Sequence, residues 1–144
     1  MKPTNFSPPN WQCCQIIFVL TSDDAIENGI IAERNVYPLI SFVLLAWMND
    51  KIHRWICPNP KADIKENRMM MLIGWLYDKG VVFNGRCFST TIAELLLQKN
   101  ALSKIKSVKT IKNNFSLSMP NGIQVEAQII FSVIFERIPK KYPI

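Results

Sequence analysis

Histidine occurs once in the 144 residues, glycine five times, and charged side chains make up only 19% of the chain. Each scarcity excludes a class of chemistry. The single histidine, His53, has no evident Ser or Cys catalytic partner, and no nucleophile–base motif is present. The glycines are isolated from one another, and no Gly-rich loop exists to cradle a phosphate. Asp23-Asp24 reads as a helix cap rather than an acid/base pair. These features predict a protein that is not an enzyme, with no catalytic residues and no cofactor.

Cysteine is also sparse and poorly arranged for cross-linking. Cys13, Cys14, Cys57 and Cys87 form no C-x-x-C pair, and two of them are neighbours. That pattern fits buried thiols in a reducing compartment better than a disulfide framework. His53 and Cys57 could in principle join Cys13-Cys14 in four ligands. Structural zinc draws paired ligands from turns, however, and Cys13-Cys14 sit in an apolar run, so no metal site is expected.

Long hydrophobic stretches are missing as well. The most apolar segment, residues 36–48, is 13 residues long and contains Pro38, short of the ~20 residues a bilayer span requires. The opening MKPTNFSPPN has no apolar signal core. A cytoplasmic protein is expected, of bacterial or phage type, with no membrane partner.

What is present is apolar bulk and an uneven charge. Nearly half the residues are hydrophobic, and the mean hydropathy is +0.08. A chain of this length makes one domain with a sizeable core. Residues 1–60 carry four bases and five acids, whereas residues 61–144 carry thirteen bases and six acids. The net charges are −1 and +7, so any polyanion-binding surface belongs to the second half. The two parts read as an apolar supporting half and a basic half, joined at Cys57-Pro-Asn-Pro60 within a single domain, 1–144.

The coarse reading of elements runs as follows. Residues 11–20 are β-leaning but ambiguous between strand and buried helix. Thr21-Ser-Asp-Asp24 caps a helix over AIENGIIAER. Pro38 suits the first turn of a helix over about 37–52. A helix over about 63–79 ends at Gly80. Asn84-Gly85, between two β-prone triplets, is the strongest hairpin signal in the chain. A helix follows over 92–99, with Ser89, Thr90 and Thr91 as caps, and breaks near Asn100. Ile105, Val108, Ile111 and Phe115 set one face of a helix over about 103–115. Residues 123–136 alternate apolar and mostly polar positions, which predicts a strand. The fold class expected from this order is α+β, mainly helical, with helix-turn-helix-like helices and a small antiparallel sheet built from 81–88 and 123–135.

Helix, hairpin, helix, turn, basic helix is the plan of a helix-turn-helix domain whose last helix enters the major groove. Lys99, Lys104, Lys106, Lys109 and Lys112 occur with no acid between the first and the last. Together with Asn113 or Asn114 they could neutralise phosphates and reach base edges. A solvated basic face on a packed helix is the plainer explanation of such a run.

The stretch LIGWLYDKGVVFNGRCFSTTIAELL (72–96), followed by SVKTIKNNF (107–115), resembles the C-terminal, winged-helix-like region of the RteC family, regulators from conjugative elements of Bacteroides. The shared features are an LI-x-x-L helix, Gly80 after it, Asn84-Gly85, Ile92-Ala93 opening the next helix, and Lys109-Thr110-Ile111. The resemblance spans residues 63–115. It implies sequence-specific binding to duplex DNA, with Lys106, Lys109, Lys112 and Asn113 in a recognition helix and a role in transcription regulation on a mobile element.

Two other readings fit the same chain. A protein-interaction module, such as a small inhibitor or assembly subunit, would use an apolar strand over 123–135 to pair with a partner or a second copy. An exposed Trp11 or Trp55 could anchor such a partner. An RNA-binding accessory subunit differs from the DNA reading only in its ligand.

Overall fold

The computed structural model describes residues 11–84 and 89–136, and among them the chain is all-helical. Eight α-helices follow one another: α1 (Trp11–Leu20), α2 (Asp23–Glu27), α3 (Val36–Met48), α4 (Asp50–Ile56), α5 (Glu66–Lys79), α6 (Ser89–Gln98), α7 (Val108–Phe115) and α8 (Asn121–Phe131). A π-helical turn, Ser132–Glu136, continues α8.

The expected small sheet is therefore corrected. Among the described residues the only extended pairing is a single antiparallel bridge between Ile31 and Phe83. Asn84 N–H donates to the Ile30 carbonyl at 2.8 Å. The Asn35 side chain donates to the carbonyls of Val81 and Val82 at 3.1 and 3.0 Å. Val82 and Phe83 are buried, so this segment is tied down by residues 30–35. Residues 85–88, the far side of the expected hairpin, lie outside the described residues.

The segment expected to be a strand, 123–136, forms α8 and the π-helical turn. Its alternation is real but arises from two helical stripes. Ile123, Ala127 and Phe131 recur every four residues and are buried with Ile130. Val125, Ile129 and Val133 also recur every four residues, and they are exposed. Two apolar stripes offset by two positions look like a period of two in sequence.

Other boundaries move for local reasons. The run 11–20 resolves as helix α1. The helix expected over 25–34 stops at Glu27, capped at its start by Ser22 Oγ, which accepts the Ala25 N–H at 3.2 Å. The helix expected over 37–52 is two helices. Asn49 closes α3 and opens α4, its Oδ1 accepting the Ile52 N–H at 3.0 Å while its Nδ2 donates to Glu126 of α8 at 2.8 Å. Gly80 ends α5 in the left-handed region at φ +72°. Asn100, also left-handed at φ +57°, ends α6. There Ala101 N–H reaches the Leu96 carbonyl and Asn100 N–H the Leu97 carbonyl, a Schellman closure with asparagine in the glycine position.

One continuous core draws on both sides of the 57–60 joint, from Cys13 and Ile16 of α1 to Ile130 and Phe131 of α8. Phe42 of α3 stacks on Trp75 of α5, and Trp75 meets Phe131 of α8 edge to face, with ring centroids 6.3 and 5.8 Å apart. Lys79 lies over Trp75 at 4.4 Å and donates to Gln128, adding a polar clasp between α5 and α8.

Candidate nucleic-acid interface

The basic segment sits on α7 and on the connection that leads into it. α7 begins at Val108, not at residue 103, because Ser107 Oγ accepts the Thr110 N–H at 3.1 Å and caps it there. Lys104 and Lys106 are consequently off the helix. Lys109, Lys112 and Asn113 are on it and exposed, while Ile111, Asn114 and Phe115 face inward. Lys109 lies one turn before Lys112 and Asn113, so these three share the outer face.

α7 packs against α5 and α6, and it approaches α5 closely. A Cβ added to Gly74 would lie 2.2 Å from the Phe115 carbonyl oxygen. Glycine at this one position lets the two backbones touch, which seats the inner face of α7 and turns its lysines outward.

The connection 99–107 is held by a residue that sequence reading passed over. Glu66, the first residue of α5, is 4% exposed. Its Oε1 accepts the N–H groups of Lys104 and Ile105 at 2.8 and 3.0 Å. Its Oε2 accepts the Ser103 N–H and hydroxyl at 2.6 and 2.8 Å, and also the Gln12 side-chain amide. Burial alone would raise the carboxyl pKa. The bonds from Ser103, Ile105 and Lys104 outweigh it and hold the group below its usual range. An acid at the start of a helix is explained locally by the helix dipole. Nothing in the sequence pointed it across 37 positions to Ser103.

Lys99 is set apart from the other lysines. It pairs with Asp24 at 2.6 Å across to α2. Lys104, Lys106, Lys109 and Lys112 are exposed and make no ion pair among the described residues. No acid occurs in sequence between Glu94 and Glu126. The structure thus brings four of the five expected lysines and Asn113 onto one helix and its lead-in, and assigns the fifth to an intramolecular pair.

Among the described residues, no group of three or more His, Cys, Asp or Glu side chains is placed to hold a metal. His53 stacks on Trp47 and donates through Nδ1 to the Trp47 carbonyl at 2.9 Å. Cys13 is buried, and burial together with the nearby Cys14 and Cys57 pushes its pKa up to about 12. Cys57 is buried too, Cys14 is exposed, and Cys87 lies outside the described residues. Trp11 is exposed, whereas Trp55 is half-buried with the Arg68 guanidinium 5.7 Å above its ring. No helix among the described residues is long and apolar enough to cross a membrane.

No protein-family model matches the chain, and neither a curated protein nor a solved structure matches it significantly. The resemblance to the RteC family rests on the residues that carry it.

Proposed function

We propose that this chain is a non-enzymatic nucleic-acid-binding protein that docks duplex DNA on α7, in keeping with a regulatory role of the helix-turn-helix kind. One observation carries the reading. Four exposed lysines without ion-pair partners among the described residues lie between positions 104 and 112, on a helix and lead-in whose other side is locked to α5. A solvated basic face without a ligand ordinarily intersperses acids to limit self-repulsion, and this one has none over its length.

Lys109 and Lys112 are in position to meet phosphates along one strand, with Asn113 beside them for a base edge. Lys104 and Lys106 extend the contact along the tethered connection. That connection, nine residues between α6 and α7, is longer than the turn of a simple repressor motif. Glu66 supplies the rigidity that a short turn would otherwise provide.

The test is a shift assay on random-sequence duplex DNA across a salt series. Four phosphate contacts give a log–log salt slope of about −3 to −4. Lys109→Glu with Lys112→Glu should weaken binding by about a hundredfold and reduce the slope by about half. Absence of binding at low salt, or binding indifferent to that double change, overturns the reading. Tighter binding to duplex RNA of the same sequence would reassign the ligand.

A further inference from the structure

The outer side of α1, α3 and α8 is apolar, unlike the outer side of α7. α1 and α3 contain no charged residue along their entire lengths, WQCCQIIFVL and VYPLISFVLLAWM. Yet Phe18 of α1 is 73% exposed, and Tyr37 and Met48 of α3 are 79% and 58% exposed. Leu44 and Leu45 of α3 are exposed as well, and α8 adds the stripe Val125, Ile129, Val133. α8 and its π-helical turn pack along α3, and Glu126 reaches Asn49 and Lys51 at the end of α3 and the start of α4. Ile129 and Val133 lie one and two turns after Glu126, so the stripe of α8 is on the side of that helix that meets the α3–α4 junction. Between α1 and α3 runs an apolar groove of about 210 Å³, lined by residues such as Ile17, Phe18, Ile40 and Val43.

We infer that this face is the surface through which two copies of the chain pair. Its size supports the inference. At their fractional exposures the eight side chains on α1, α3 and α8 together offer on the order of 800 Å² of surface, more than the few hundred Å² typical of a monomer's patch and about one partner's share of an ordinary interface. Charge supports it too. Two copies of a +6 chain meet over α1 and α3 without bringing like charges together. Helices lacking charge along their lengths, as α1 and α3 do, also lack the usual means of selecting a foreign partner, and homodimer interfaces are the more apolar class. A helix that rests on a bilayer carries Lys or Arg beside its apolar stripe, and α1 and α3 have neither. The groove has room for one large side chain from the second copy. The pairing stands apart from the nucleic-acid reading, since none of the lysines 104–112 belongs to this face.

Sedimentation equilibrium of the full chain across micromolar concentrations tests it. The expected result is a reversible species of twice 16.6 kDa. Leu45→Lys and Ile129→Lys, each at an exposed position, should raise its dissociation constant roughly tenfold or more, with circular dichroism unchanged. Met48→Gln is the milder variant should either lysine disturb folding. Lys109→Glu should leave the mass unaltered, which separates this surface from α7. A monomer at every concentration, a dimer indifferent to all three face variants, or a monomer that partitions onto phosphatidylcholine vesicles would each overturn the inference.

Discussion

α3 and α7 solve the same problem, anchoring one helical face, in opposite ways. α3 buries Leu39, Phe42, Val43, Ala46 and Trp47 along 13 residues. At about 1.5–3 kcal/mol for each large side chain, no single contact decides its position. α7 has eight residues and buries only Ile111, Asn114 and Phe115. Its placement depends on point contacts: the bare Cα of Gly74, the carboxylate of Glu66 under its lead-in, and the hydroxyl of Ser107 at its start. A helix held by bulk can leave its outer face uncommitted. A helix held by three devices presents its outer face at a defined height and angle.

Gly74→Ala tests that contrast most severely. The new Cβ meets backbone at Phe115, which cannot rotate away, so a loss of about 3 kcal/mol or more is expected, read from denaturant unfolding. A loss below about 1 kcal/mol would mean that α7 can slide off α5 at little cost.

Glu66→Gln comes next, at about 2–4 kcal/mol. One oxygen that accepts backbone N–H groups becomes a donor facing them, stranding buried donors at Ser103 or at Lys104 and Ile105. The same residue sets an acid limit. Its folded pKa lies below its unfolded value, so its contribution is fully present above about pH 5, past the ordinary carboxylate range, and is lost as pH falls through the folded pKa. The wild-type unfolding midpoint should fall in that window more steeply than that of Glu66→Gln. Parallel pH profiles would remove Glu66 as the tether.

Ser107→Ala should cost about 1 kcal/mol, the usual value of a lost N-cap, and should fray α7 enough to weaken binding to duplex DNA. Tyr37→Ser, on the outer face of α3, should change the stability of the monomer by less than about 0.5 kcal/mol. Thermal unfolding at low protein concentration checks it. A large loss there would show that the outer face of α3 is structurally committed after all.

Much of this architecture was legible one residue at a time. Ser22 as a cap, Gly80 as a left-handed terminator and the break at Asn100 each follow from local backbone chemistry. So does the uncharged character of residues 36–48. The inward Ile111/Phe115 and the outward Lys109/Asn113 follow from helical spacing alone, whereas the same spacing also put Lys106 on that face. Residues 123–136 pattern as a strand because their two i, i+4 stripes superpose into an alternation that a strand also shows. Val125, Ile129 and Val133 can be told from core residues only once a neighbour, α3, is in place. Lys104 and Lys106 were drawn onto the helix by Ile105, which is buried but belongs to the lead-in.

The composition and order of residues by themselves determined a core-forming chain with several capped helices, a basic segment at 104–112 and a most apolar run of 13 residues, but not an all-helical fold, since residues 123–136 pattern as a strand. Periodicity, capping and charge are short-range properties, readable within a few positions. Tertiary structure alone decided that Glu66 binds the backbone 37 residues away, that Gly74 touches Phe115, that Lys99 is spent on Asp24, and that the stripe on α8 faces outward. Those outcomes depend on which surfaces meet, and contact between distant segments is a property of packing that no local pattern encodes.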